Sequence, residues 1–179
     1  MHNDVTAQTG RARRPRGAKV AIDEFYRHGA YRAGSPAVAA LDRLWGLSLL
    51  LSELMEHGLA ERGITLARAG VVSLLERSGA CTQRELSRAL RVTPRNITGL
   101  VDALEGEGLV VRAPHPTDRR ATMVSLTPSG ATLAATLKRD QDGFAETLFS
   151  DAEPRELAAL TAIVDRILAR VEQRLAAQR

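Results

Sequence analysis

The sequence predicts a mainly α fold with a small β-wing, in which a winged helix-turn-helix domain is preceded and followed by apolar helices. Three observations carry this. Two short helices, each opened by a capping residue, stand almost end to end between Thr82 and Gly106; two strands then bracket a polar, arginine-bearing tip; and long apolar-striped segments occupy both ends of the chain.

Thr82 and Glu85 have the spacing of a capping box, in which each side chain satisfies an orphan backbone donor of a helix's first turn. Cys81 and Leu86 flank the box as a hydrophobic staple. Leu86, Ala89 and Leu90 give this first helix an apolar face. Arg91-Val92 leaves only a tight connection before Thr93 caps a second helix, with Pro94 at its first position. In that second helix Ile97, Leu100, Val101 and Leu104 form one stripe, so Arg95, Asn96, Thr98, Gly99 and Asp102 fall outward. The outward face is short and polar, with side chains able to address base edges in a major groove. An ordinary solvated face would also be polar, and the hairpin that follows decides between the two readings. Gly106 and Gly108 end the helix; Leu109-Val110-Val111 and Thr122 to Leu126 are patterned as strands. Between them Ala113 to Arg120 is too polar and proline-rich to pack, a hairpin tip bearing Arg119 and Arg120.

Composition bounds the partners. Apolar residues make up 44% of the 179 residues, as in a soluble globular protein, and the length suits one domain with appendages. Aromatics are only 3%, which argues against stacking platforms for single-stranded nucleic acid. The net charge of +4 is compatible with an anionic partner. Of 25 basic residues all but Lys19 and Lys138 are arginine, the side chain suited to forked contacts with phosphate and guanine; a coding bias toward G and C would have the same result. A lone cysteine excludes an internal disulfide, and no stretch is apolar enough for a membrane span or a secretion signal, so the cytoplasm is expected.

Enzymatic and metal chemistry find no support. His2, His28, His57 and His115 form no metal-ligand spacing, and the chain has neither a phosphate-binding glycine loop nor a nucleophile elbow. No catalytic residue, metal site or cofactor is therefore expected. Cys81 is open to two readings, a small apolar residue of the staple or a redox thiol at a helix amino terminus.

In chain order, residues 1–35 read as a flexible basic arm, with Arg11, Arg13, Arg14, Arg16 and Lys19 uninterrupted by acid and room for a short helix over Ala21 to Tyr31. Ser35-Pro36 opens a long helix, within a segment spanning 36–64. Its apolar residues, Leu41, Leu44, Trp45 and Leu51 among them, extend beyond the stripe one neighbour would cover. The reading unit spans 65–126, beginning with a helix through Val71, Val72 and Leu75. Residues 127–179 form two helices, the first from Thr127-Pro128 and the second starting after Ser150 or Asp151, with Leu157, Leu160, Ile163, Val164, Ile167, Leu168, Val171 and Leu175 in one stripe. The apolar surplus at both ends suits dimerisation helices built from the two termini together.

The strings TQRELSRAL, ITGLVDALEGEGLV and TDRRATMVSLTPSG resemble the MarR-type family of bacterial transcriptional regulators, from about Leu66 to Leu137. The resemblance implies a homodimer on a pseudo-palindromic double-stranded DNA operator, recognition helices in major grooves and wing arginines in flanking minor grooves. The DNA-binding residues expected are Thr93, Arg95, Asn96, Thr98, Gly99, Asp118, Arg119 and Arg120. It further implies a repressor released by a small lipophilic or aromatic molecule, bound at a surface lined by Leu44, Trp45, Ser48, Met55, Ala69 and Gly70, where the family's second helix often has Gln and an aromatic in place of the last two. That surface is equally good material for plain dimer core. A winged-helix module for protein partners and a weakly specific architectural DNA-binding protein are the alternatives.

Overall fold

A computed structural model describes residues 35–118 and 121–178, which fall into two compact units dividing between Leu66 and Ala67. The arm's expected helix over Ala21 to Tyr31 and the two wing arginines Arg119 and Arg120 lie outside the described residues.

The first unit contains α1 (Pro36–Glu61). Ser35 caps it, its hydroxyl accepting from Val38 N–H at 3.4 Å, and Pro36 occupies the first turn, where a missing N–H costs nothing. The chain leaves the helix through Arg62, with Ile64 N–H donating to the Leu59 carbonyl at 3.1 Å. Apolar side chains stand exposed along its length. Trp45 is 55% exposed, and Leu41, Leu47, Leu49, Leu54 and Met55 are exposed as well.

The second unit is built from α2 (Leu66–Ser78), β1 (Cys81–Thr82), α3 (Gln83–Ala89), α4 (Pro94–Gly106), β2 (Val110–Pro114), β3 (Thr122–Leu126), α5 (Pro128–Leu148) and α6 (Pro154–Ala176). The strands form an antiparallel sheet in the order β1-β3-β2, with Val110 opposite Leu126, Arg112 opposite Val124 and Cys81 also opposite Val124. Two differences from the sequence reading have physical causes. The sheet has a third strand, β1, only two residues long and so without a period to detect. β2 continues through Ala113 and Pro114, which the sequence reading placed in the tip; Pro114 is tolerated because β2 is an edge strand and the ring needs no ladder donor there. The second terminal helix, α6, has Pro154 in its first turn and Glu153 as its cap.

The core joins Val71, Val72 and Leu75 of α2 with Leu86, Ile97, Val101, Leu104, Val110, Val124 and Leu137. All are aliphatic, and no aromatic residue occurs between 67 and 126. In α3 the buried neighbour of Leu86 is Ser87 rather than Ala89, which is exposed. The Ser87 hydroxyl donates to the Val92 carbonyl at 2.7 Å, so a polar side chain is stabilised inside by holding the turn. In α6 no residue is buried within the single chain: Leu160, Ile163, Leu168, Val171 and Leu175 are exposed.

The junction of α4, β2 and α5 is tight. Gly108, at φ +69°, takes the left-handed conformation that ends α4, and Leu109 N–H donates back to the Leu104 carbonyl at 2.9 Å. Thr127 then donates its N–H to the Leu109 carbonyl (3.0 Å) and its hydroxyl to the Gly108 carbonyl (2.7 Å), while that same hydroxyl caps α5 by accepting from Gly130 N–H at 3.1 Å. A Cβ on Gly130 would stand 2.0 Å from the Leu109 carbonyl oxygen. Backbone cannot give way as a side-chain tip can. Gly130→Ala should therefore destabilise the protein by about 1–3 kcal/mol or more, measurable as a lowered urea midpoint by circular dichroism, whereas Gly143→Ala, with open space around it, should not.

Candidate nucleic-acid interface

The interface begins with how α4 is held. Thr93 caps it, accepting from Asn96 N–H at 3.2 Å, and Pro94 occupies its first turn. Ile97, Val101 and Leu104 are buried, so Arg95, Asn96, Thr98 and Gly99 face outward and are exposed. Within that set the hydroxyls are already occupied: that of Thr93 by the cap, and that of Thr98 by donation to the Pro94 carbonyl at 2.9 Å. Arg95 and Asn96 differ, since their side chains make no hydrogen bond or ion pair among the described residues and remain available to an outside partner.

α3 is set against α4 by a turn under backbone strain. Arg91 has φ +55°, a left-handed conformation unusual for a residue with a Cβ; its N–H donates to the Arg88 carbonyl at 3.2 Å and Val92 N–H to the Ser87 carbonyl at 3.1 Å. Its guanidinium reaches Glu172 of α6 at 2.7 Å. At the front of α3 the capping box is complete: Glu85 accepts from Thr82 N–H at 2.7 Å and Thr82 Oγ1 accepts from Glu85 N–H at 3.2 Å. The backbone N–H of Thr82, helped by its hydroxyl, holds the Glu85 carboxyl below the usual carboxylate range. Cys81 is half-buried, and burial, with the Glu85 charge, pushes its thiol upward. A thiol so held is a poor nucleophile, which favours the staple reading over the redox one.

A group that the sequence reading did not single out ties the helices to the wing. Arg112 of β2 donates to Asp102 at 2.5 Å and also pairs with Glu105, both on α4; with the Gln83 amide oxygen turned toward it, Nε and Nη2 donate to α3 at 3.1 and 3.2 Å. Burial alone would disfavour its charge, but the two carboxylates outweigh burial and raise its pKa further above the ordinary arginine value. One guanidinium thus bridges α3, α4 and β2. Asp102 was read as outward-facing, and it is exposed, yet its carboxylate is turned to this internal pairing. The available signal was Asp102 and Glu105 three apart on one helical face, followed by an arginine on the next strand.

Asp118 is exposed at the wing tip, in the segment leading to Arg119 and Arg120. Of the residues proposed for a ligand, Leu44, Trp45, Ser48 and Met55 are exposed on α1, where the Ser48 hydroxyl donates to the Trp45 carbonyl at 2.8 Å. Ala69 is buried in the second unit, and a Cβ on Gly70 would stand 3.5 Å from the Leu90 side chain, an ordinary van der Waals contact. Among the described residues no group of His, Cys, Asp and Glu is placed to hold a metal ion, and no helix is long and apolar enough to cross a membrane.

A capped helix with a polar outer face, seated on a second helix and followed by a β-hairpin, defines a winged helix-turn-helix. The sequence profile of the MarR family matches residues 64–122. An HTH-type transcriptional regulator of Mycobacterium bovis is 30% identical over 110 residues, covering 62% of this chain and 77% of that protein. The HTH-type transcriptional repressor YetL of Bacillus subtilis is 33% identical over 89 residues, covering 49% of this chain and 53% of the relative. Among solved structures, a MarR variant from E. coli complexed with operator DNA superposes with a TM-score of 0.64 at 25% identity, covering 74% of this chain and 96% of the other. The chain belongs to the MarR family: it is a DNA-binding transcriptional regulator with a winged helix, not an enzyme.

If Arg112 is the clamp that sets α4 against the wing, Arg112→Ala should lower stability by about 1 kcal/mol, because two partly exposed carboxylates, Asp102 and Glu105, lose their countercharge. It should also weaken DNA binding more than a single lost phosphate contact would. Denaturant titration and duplex binding on the same preparation measure both.

Proposed function

We propose that the protein is a homodimeric, sequence-specific repressor that acts in the cytoplasm on a pseudo-palindromic operator, with α4 in the major groove and the wing against the flanking minor groove. The observation that carries this reading is the exposed α4 face on which Arg95 and Asn96 make no side-chain hydrogen bond or ion pair among the described residues. Two features support the dimer: the exposed apolar residues along α1 and the uncovered stripe of α6. Association buries such surface at about 25 cal/mol per Å² of apolar area, and a second copy offers the same two surfaces. The repressor role is taken from the likeness to the repressor YetL, and operator binding from the likeness to the E. coli relative complexed with operator DNA. Release by a lipophilic ligand is the further part of the proposal. It rests on Leu44, Trp45, Ser48 and Met55, and titrating lipophilic acids into the protein–DNA complex while following Trp45 emission tests it.

The decisive experiment is selection of bound fragments from random duplex DNA. Sites with dyad symmetry are expected, with half-sites about 34–36 Å apart. Selected sites without symmetry, a stable monomer at micromolar concentration, or no selection at all would sink the reading, the last outcome favouring a module for protein partners. On a selected site Arg95→Ala should cost about 1–3 kcal/mol and relax preference at one base position; equal loss on every sequence would reduce it to a phosphate contact.

Arg119→Ala and Arg120→Ala should each weaken binding with the fold intact, lowering the slope of log affinity against log salt by about one unit per lost contact. Unchanged slopes in both variants would remove the wing from the interface.

A further inference from the structure

Thr98 stands on the outward face of α4, yet its hydroxyl is turned back onto the protein. It donates its single hydrogen to the Pro94 carbonyl, one turn earlier, at 2.9 Å. On the other side of the same oxygen lies Gln83 of α3. With the Gln83 amide oxygen turned to Arg112, the amide nitrogen is 3.4 Å from Thr98 Oγ1 and placed to donate to it. From Arg112 onward each group thus donates to the next, through Gln83 and Thr98 to the backbone of α4. A hydroxyl engaged in this way has no hydrogen left for an acceptor on a base. Thr98 is nonetheless exposed, and apart from its hydroxyl a threonine side chain consists only of Cβ and a methyl group. The neighbouring Gly99 is exposed as well, and a Cβ placed on it would meet nothing within 4 Å. The backbone beside Thr98 is therefore bare, which lets a groove wall come close.

We propose that Thr98 is a specificity-determining residue that recognises thymine through its methyl group, Cγ2 packing against the 5-methyl of one thymine in each half-site. The inference rests on the reading of α4 as the major-groove helix. In that groove thymine presents O4 as an acceptor and the C5 methyl as an apolar knob, and a threonine methyl is a fitting partner for the latter. A hydroxyl free to rotate could serve donors and acceptors on several bases and would discriminate poorly among them. Here the side chain is divided: its oxygen ties α4 to α3, and its carbon is what remains for DNA.

The test uses the full chain, as wild type, Thr98→Ser and Thr98→Val, on a duplex selected as described. Each thymine of one half-site is replaced in turn by deoxyuridine, which removes the 5-methyl and leaves every hydrogen-bonding group of the base in place. At one position wild type should lose about fourfold in affinity, the effect of one buried methyl group. Serine keeps the hydroxyl and lacks the methyl, so Thr98→Ser should bind the thymine and deoxyuridine duplexes alike. Valine keeps a methyl and lacks the hydroxyl, so Thr98→Val should discriminate as wild type does. Exchanging the sensitive T·A pair for C·G and then methylating that cytosine at C5 should recover about the same factor, again in wild type and Thr98→Val but not in Thr98→Ser. Discrimination that persists in Thr98→Ser, discrimination lost in Thr98→Val, or a selected site that no deoxyuridine weakens overturns the proposal and leaves the DNA role of α4 standing. A protein that selects no duplex overturns both.

Discussion

Everything in the reading head turns on the close approach of the Leu109 carbonyl to the first turn of α5. Three backbone requirements meet there: Gly108 must be left-handed, Thr127 must bond both carbonyls, and Gly130 must lack a side chain. Because the end of α4, the start of β2 and the start of α5 share this point, the angle of the recognition helix, the root of the wing and the departure of the long helix are fixed together. Arg112 adds a second tie farther out, between the wing strand and both short helices. The face bearing Arg95 and Asn96 is thus held from its back and its end.

The parts of the fold that were legible in the sequence are those decided within one turn of chain. Thr82 with Glu85, Thr93 with Pro94 and Thr127 with Pro128 announce three helix starts, because a capping side chain bonds a backbone group only two or three residues away. The stripe of Ile97, Val101 and Leu104 was equally local. What escaped were features that depend on distant segments: the pairing of Cys81 with Val124, the burial of Ser87 and the closure of Arg112 on Asp102. The left-handed Arg91 escaped for another reason. An arginine gives no warning of φ +55°, where a glycine or asparagine would have.

The candidate site divides in the same way. Which residues of α4 point outward follows from helical period, and the structure agrees for Arg95, Asn96, Thr98 and Gly99. Which of them are chemically unengaged does not follow from period, since the Thr93 and Thr98 hydroxyls are occupied by contacts that only three-dimensional placement reveals. The same limit applies to Gly70, whose neighbour, the Leu90 side chain, comes from a separate helix.

The aliphatic core described above has an optical consequence. From residue 67 to 126 there is no tryptophan, tyrosine or phenylalanine, and the only tryptophan, Trp45, belongs to α1. Intrinsic fluorescence excited at the indole band therefore watches the amino-terminal unit and is blind to the reading head, which shows itself only through the peptide chromophore in the far ultraviolet. A melting curve followed by emission reports the amino-terminal unit alone, whereas one followed by ellipticity reports all the helices together, so any gap between their midpoints is a reading of how cooperatively that unit unfolds with the rest.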